Sequence, residues 1–164
     1  MRIQRLLLPA VVVMVVLFSA AVASAQAPPP AYGAPITLEQ AKKVMAGAEA
    51  EATKNNWNVV ITIVDSGGNV VMLQRLDGAQ FGSIDVARDK AHTAVAFRRP
   101  TKVFQDLVSQ GGANLRLLNL KGASLLEGGI PIVVDGKLVG GIGVSGVTSA
   151  QDAQIARAGL ELLK

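Results

Sequence analysis

The chain contains one histidine and no cysteine, so imidazole chemistry can only use His92 and thiolate chemistry is excluded. His92 lies in "RDKAHTAVAFRRPT", residues 88–101. Asp89 stands three residues before it and Asp85 seven, so on a helix of about 3.6 residues per turn both carboxylates share its face. Two carboxylates and an imidazole offer hard oxygens and a borderline nitrogen, a set that could hold a divalent or ferric ion. With Arg88 alongside, the same side chains also read as a solvated, self-neutralised face. The spacing alone does not choose between the two.

Thr93 occupies another sector of the same helix, between Val86 and Phe97. A hydroxyl between two apolar side chains, away from the core stripe, marks a surface covered by a second subunit, the following helix or a flat ligand. Beyond it come Arg98, Arg99 and, past Pro100, Thr101 and Lys102. Three cations at one corner suit an anionic group such as a carboxylate, and solvated charges would look the same. Pro100 biases Arg99 out of helical geometry, and Thr101 can cap the next helix.

Gly141-Ile142-Gly143-Val144-Ser145-Gly146 matches the G-x-G-x-x-G pattern of dinucleotide-binding turns. Such a turn follows the first strand of a βαβ unit and is answered by an acidic residue about 20 positions on. Neither condition is met here. The glycines read instead as a strand that approaches a helix, a neighbouring subunit or a ligand closely. Ser145 has no assignable base, so nucleophilic enzyme chemistry has little support.

These residues need elements to position them. Thr37 and Gln40 have capping-box spacing, and Leu38, Ala41, Met45, Ala48 and Ala52 recur at helical period to about Lys54. "NVVITIVDSGGNVVMLQRL" reads as a hairpin reversing at 65–69, and "IPIVVDGKLVGGIGVSG" as a second one turning at Asp135-Gly136. Helices are expected at 83–97 and 101–109, with a further segment at 113–125. The first of these buries Ile84, Ala87, Ala91, Ala94 and Val95 on one stripe. A last helix starts near Ser149 and runs to the end, with Ile155, Ala158, Leu162 and Leu163 on one side. Helices separated by hairpins define an α+β class with a helix–sheet–helix layering.

Ahead of this domain, residues 1–25 have Arg2 and Arg5, an apolar run from Leu6 to Phe18, and the small-residue stretch Ala23-Ser24-Ala25. That order is expected of a secretory signal peptide cut between Ala25 and Gln26. An uncleaved anchor competes, since the apolar run approaches spanning length; Pro9 and the cleavage site favour removal, leaving no stable membrane anchor. Residues 26–35, "QAPPPAYGAP", read as an extended tether, and 36–164 as one domain. Without Arg2 and Arg5, 14 basic residues face 12 acidic ones. This near balance, with few aromatics, gives no nucleic-acid signature.

The motifs "NVVITIVDSGGNVV", "RDKAHTAVAFRRPT", "LEGGIPIVVDGKLVGGIGVSG" and "SAQDAQIARAG" together resemble the GlcG/HbpS family of haem-binding proteins. The resemblance spans the whole domain from Ile36. It implies a profilin-like fold with a five-stranded antiparallel sheet flanked by helices, assembled into a symmetric homo-oligomer. It also implies an exported protein, periplasmic or extracellular, that binds haem for iron scavenging or sensing, with slow haem degradation and a sensor or transporter partner among its expectations.

On that resemblance Thr93 is the position matched to the iron, with Thr101 second, and His92 is the chemically stronger ligand. Phe97 and Val86 would supply an apolar wall, and Arg98, Arg99 and Lys102 would meet the propionates. The alternative is a domain binding small carboxylates of the glycolate type without haem, using the glycine-rich hairpin and the Arg98–Arg99 corner.

Overall fold

The computed structural model describes residues 28–163; the expected signal segment and its cleavage site lie outside them. In chain order the elements are β1 (Ala31–Tyr32), α1 (Leu38–Lys54), β2 (Val60–Asp65), β3 (Val70–Arg75), α2 (Ser83–Ala96) and α3 (Lys102–Ser109). A 3₁₀ segment (Gly112–Asn119), β4 (Gly129–Val134), β5 (Lys137–Ser145) and α4 (Ser149–Glu161) complete the fold. The architecture is α+β with five strands in one sheet.

Local chemistry sets several of these boundaries. Gln40 N donates to Thr37 Oγ1 at 3.2 Å and Thr37 N to Gln40 Oε1 at 3.0 Å, closing the expected capping box of α1. Thr148 and Gln151 do the same for α4. At the first hairpin, Asp65 Oδ1 accepts from Gly67 N and Asn69 N while Gly68 turns through a φ of 85°. Burial raises the Asp65 pKa, but these bonds outweigh it and hold the carboxyl below its ordinary value. At the second hairpin, Asp135 (φ 48°) and Gly136 (φ 72°) both take positive φ, as a two-residue type I′ turn requires.

β5 is the spine of the sheet. β4 runs antiparallel along one side of it; β2 takes the other side from Gly140 to Ser145, with β3 beyond. Pro131 is tolerated because β4 is an edge strand. One pairing departs from the expected all-antiparallel sheet. Ala31 and Tyr32, placed by sequence in a tether, pair parallel with Lys137 and Leu138 on the β2 side of β5. Two further bonds continue that zip, Gly33 N to Leu138 O and Ile36 N to Val139 O, each 2.8 Å. Tyr32 OH then donates to Val95 O at 3.0 Å, fastening this segment to α2.

The pleat sorts the side chains. Val59, Ile61, Ile63, Ile142 and Val144 join Val44, Met45, Ala48 and Ile155 in the core beneath α1 and α4. Each fully buried Val or Ile there is worth about 1.5–3 kcal/mol relative to exposure. On the opposite face Val60, Val64 and Leu138 meet Ala87, Ala91 and Val95 of α2. Two expectations for the helices change. Residues 113–125 form only the short 3₁₀ turn followed by irregular chain. α4 stops at Glu161, so Leu162 falls past its end and is half exposed.

The first two glycines of the G-x-G-x-x-G pattern are explained by the packing of α2, and the third, Gly146, by its approach to Asn58 and Val59. A Cβ at Gly141 would lie 2.8 Å from Ala91 O, and one at Gly143 would collide with Ala87 O and Ala91 N. α2 therefore rests backbone to backbone on β5.

Candidate functional site

The basic corner is built by the way α2 ends. Phe97 is the C-cap, Arg98 adopts φ 52°, and the next two amides turn back: Arg98 N to Val95 O and Arg99 N to Ala94 O. This is a Schellman closure with arginine where glycine is usual, followed by the helix-stopping Pro100. An L-residue in the left-handed region costs about 1–2 kcal/mol, so the position of the Arg98 side chain is held against a local preference. Its guanidinium lies 5.4 Å from the Tyr32 ring centroid and donates to Pro30 O at 3.4 Å. Arg99 sits 6.0 Å from the Phe104 ring and donates from Nε to Phe97 O at 3.1 Å.

Arg98 and Arg99 line one groove of about 400 Å³ with Pro28–Pro30, Pro100 and Val103. Lys102 does not join them. It lines a second groove of about 400 Å³ on the far side of Pro100 and Val103, with Asp106, Glu127, Ile130, Ala153 and Arg157. There its ammonium bonds Asp106 at 2.8 Å, and that hydrogen bond holds the Lys102 pKa above its ordinary value. The three cations are thus divided between two adjoining grooves.

Thr93 is fully buried, which corrects the expectation of an outer sector open to a ligand. Its hydroxyl donates to Asp89 O at 2.6 Å and accepts from Ser124 N at 2.8 Å. The irregular chain after the 3₁₀ segment thus covers it. Phe97 is half-buried against Phe104, edge to face at 5.2 Å, and Val86 is half-buried and lines neither groove. Thr101 is also fully buried and does not cap α3 through its side chain. Instead it bonds Gly129: its hydroxyl accepts from Gly129 N (2.9 Å) and donates to Gly129 O (3.4 Å), and its own N–H donates to Gly129 O (2.9 Å).

The metal set does not assemble. Arg88 pairs with Asp85 at 3.2 Å and lies 3.7 Å from Asp89, neutralising both carboxylates. The His92 ring lies over the β2–β3 turn, where a Cβ on Gly68 would meet its Cδ2 at 2.7 Å. Among the described residues no three His, Asp or Glu side chains gather in a way that could hold a metal ion.

Two features escaped sequence reasoning. Lys90 of α2 is almost completely buried and reaches past the sheet to α4, donating to Asp152 Oδ2 at 2.7 Å and Val144 O at 2.9 Å. Burial pushes the Asp152 carboxyl above its ordinary pKa, although Lys90 and the amides of Val147 and Gly146 pull it down. Lys90 is three residues from Ala87 and four from Ala94, a spacing that could have signalled its burial. The second feature is Glu127, a buried acid that lines the second groove.

Sheet, helix layers and paired grooves place this chain among small three-layer α+β domains. Residues 36–161 match the family model described as haem degrading protein HbpS-like. The chain belongs to that family. It is 39% identical over 110 residues to Protein GlcG of Escherichia coli K12, covering 67% of this chain and 81% of that one. It also superposes on a double mutant of Streptomyces reticuli HbpS with a TM-score of 0.73 at 34% identity, over 89% of this chain and 99% of the other. A structure of PduOC in complex with haem gives 0.72 at 29% identity, over 78% and 94%.

Proposed function

We propose that this protein is exported and binds haem at the α2–α3 corner, with Arg98 and Arg99 receiving the two propionates. What carries the reading is that these two arginines share one proline- and valine-lined groove in a member of a family whose structural neighbours include a haem complex. Haem is an apolar disc with an anionic edge, and a groove of this size lies within the range of about 300–1,000 Å³ typical of small-ligand sites. Pro100 and Val103 would take the porphyrin face and Lys102 the rim beyond them. When bound, the group supplies a redox-active iron; the chain's own part is to hold and orient it.

The residues fit the propionates and the disc better than the iron. Thr93 has its proton donated and an acceptor site filled, and His92 lines neither groove. Haem held mainly by its edge and faces should exchange readily. A hemin titration of the purified protein followed at the Soret band tests this. Arg98→Ala with Arg99→Ala is expected to weaken binding by about tenfold or more, since each lost charge-assisted bond is worth about 1.5–3 kcal/mol. Thr93→Val should leave the Soret position unchanged while lowering stability by about 1–3 kcal/mol, through the stranded Ser124 amide. An unshifted hemin spectrum, or full affinity in the double variant, would defeat the reading.

Export rests on the order of charge, apolar run and Ala23-Ser24-Ala25 in residues 1–25. No helix among the described residues is long and apolar enough to cross a membrane. Protein recovered from the envelope or medium is expected to begin at Gln26, by intact mass; recovery of the uncut chain would contradict the assignment. A symmetric homo-oligomer belongs to the same proposal, supported by the exposed Phe81 and Leu118 side chains.

A further inference from the structure

The second groove is lined by an acid that the fold pairs only loosely. Glu127 is 8% exposed. Its backbone N–H donates to Gln105 Oε1 at 2.8 Å, which fixes the residue against α3. Among the described residues no hydrogen bond reaches its carboxylate, whose oxygens open onto the groove. The nearest cation, Arg157, stands 3.9 Å away on a side chain that is 58% exposed. Lys102, at the mouth of the same groove, is already bonded to Asp106 at 2.8 Å. Such a carboxylate keeps acceptor sites that only water or a ligand in the groove can fill.

The walls around it include the apolar Val103, Ile130 and Ala153, with Gly128 and Gly129 between them. We propose that this groove binds a small organic molecule carrying a protonated amine on a short apolar chain. Glu127 receives the ammonium, and the chain lies against Val103, Ile130 and Ala153. The choice of a cationic head follows from which group is unfilled. The two cations at the groove are either bonded or solvated, whereas the acid is enclosed and lacks a donor at the usual charge-assisted distance of about 2.7–2.9 Å. A carboxylate ligand would have to approach Glu127 charge against charge. The inference is argued from Glu127 and not from haem, although Pro100 and Val103 are walls of both grooves.

The test is a titration of the purified protein with n-butylammonium, followed by backbone amide NMR shifts at Gly128, Gly129 and Ile130, with n-butanol and butyrate in parallel. Saturable shifts are expected with the amine, about tenfold weaker or more with the alcohol, and absent with butyrate. Glu127→Gln keeps the shape and removes the charge, and should weaken amine binding at least about tenfold. Arg157→Ala, remote from the core, should leave amine binding intact or tighten it by removing the competing cation. No saturable response in the unmodified protein, equal responses to amine and alcohol, unchanged binding in Glu127→Gln, or loss of binding in Arg157→Ala would each overturn the proposal.

Discussion

Replacing Lys90 with methionine is expected to destabilise the protein by about 3–5 kcal/mol at neutral pH, the usual result of removing one partner from a buried ion pair. Lys90 and Asp152 are each almost fully enclosed, so the orphaned carboxylate has no water to turn to. The pH dependence has a definite sign. Asp152 already has a folded pKa above its ordinary 3.8 because burial outweighs its partners. A raised carboxyl pKa means that the native state holds the proton more tightly than the unfolded chain. The contribution is therefore complete below the unfolded value and is lost as pH rises through the folded one. Without Lys90 that rise becomes larger. Denaturation of Lys90→Met from about pH 4 to about pH 8 should show stability falling as pH increases, more steeply than in the parent. Adding Asp152→Asn, which keeps an acceptor for Val147 N but carries no charge, should recover most of the loss. A Lys90→Met protein as stable as the parent at neutral pH would show that the pair does not clasp the two helix layers.

Gly143→Ala should be comparably damaging, by about 3 kcal/mol or more, because the added methyl has nowhere to go. It would enter the backbone of α2 at Ala87 and Ala91, not a side chain that can rotate away. The helix must lift from β5, and the contacts of Ala87, Ala91 and Val95 with Val60, Val64 and Leu138 would open with it. Gly82→Ala is the matched control. A Cβ there meets nothing within 4 Å, and its φ of −61° suits alanine. Its effect is expected to be neutral or stabilising by up to about 1 kcal/mol. Thermal melts of the two variants should separate clearly; coincident melts would refute the backbone-contact account.

The parts of this architecture legible in sequence are those whose cause is local. Asp135-Gly136 dictates its own turn, Thr37 and Gln40 close their own capping box, and the spacing of Ala87, Ala91 and Ala94 reveals the inner face of α2. The α2–α3 corner was legible for the same reason, since Pro100 and the arginines before it are neighbours in the chain. What covers a surface is not local. The wheel gives Thr93 a direction, but Ser124, which fills its acceptor site, is 31 residues away. Lys90 meets its acid 62 residues later, and a lysine on a helix ordinarily extends into solvent. Glu127 carried no pattern at all, because three elements from separate stretches enclose it. Likewise the Ala31–Tyr32 strand is too short for any period and owes its place to β5.

That strand separates two boundaries that are easily taken as one. The family-model match begins at Ile36, yet the folded unit reaches back at least to Pro30, whose carbonyl receives Arg98. A truncation cut at the edge of that match would keep every family motif. It would also leave Lys137 and Leu138 without their parallel neighbour, release α2 from the Tyr32 phenol, and strip the prolines from one side of the arginine groove.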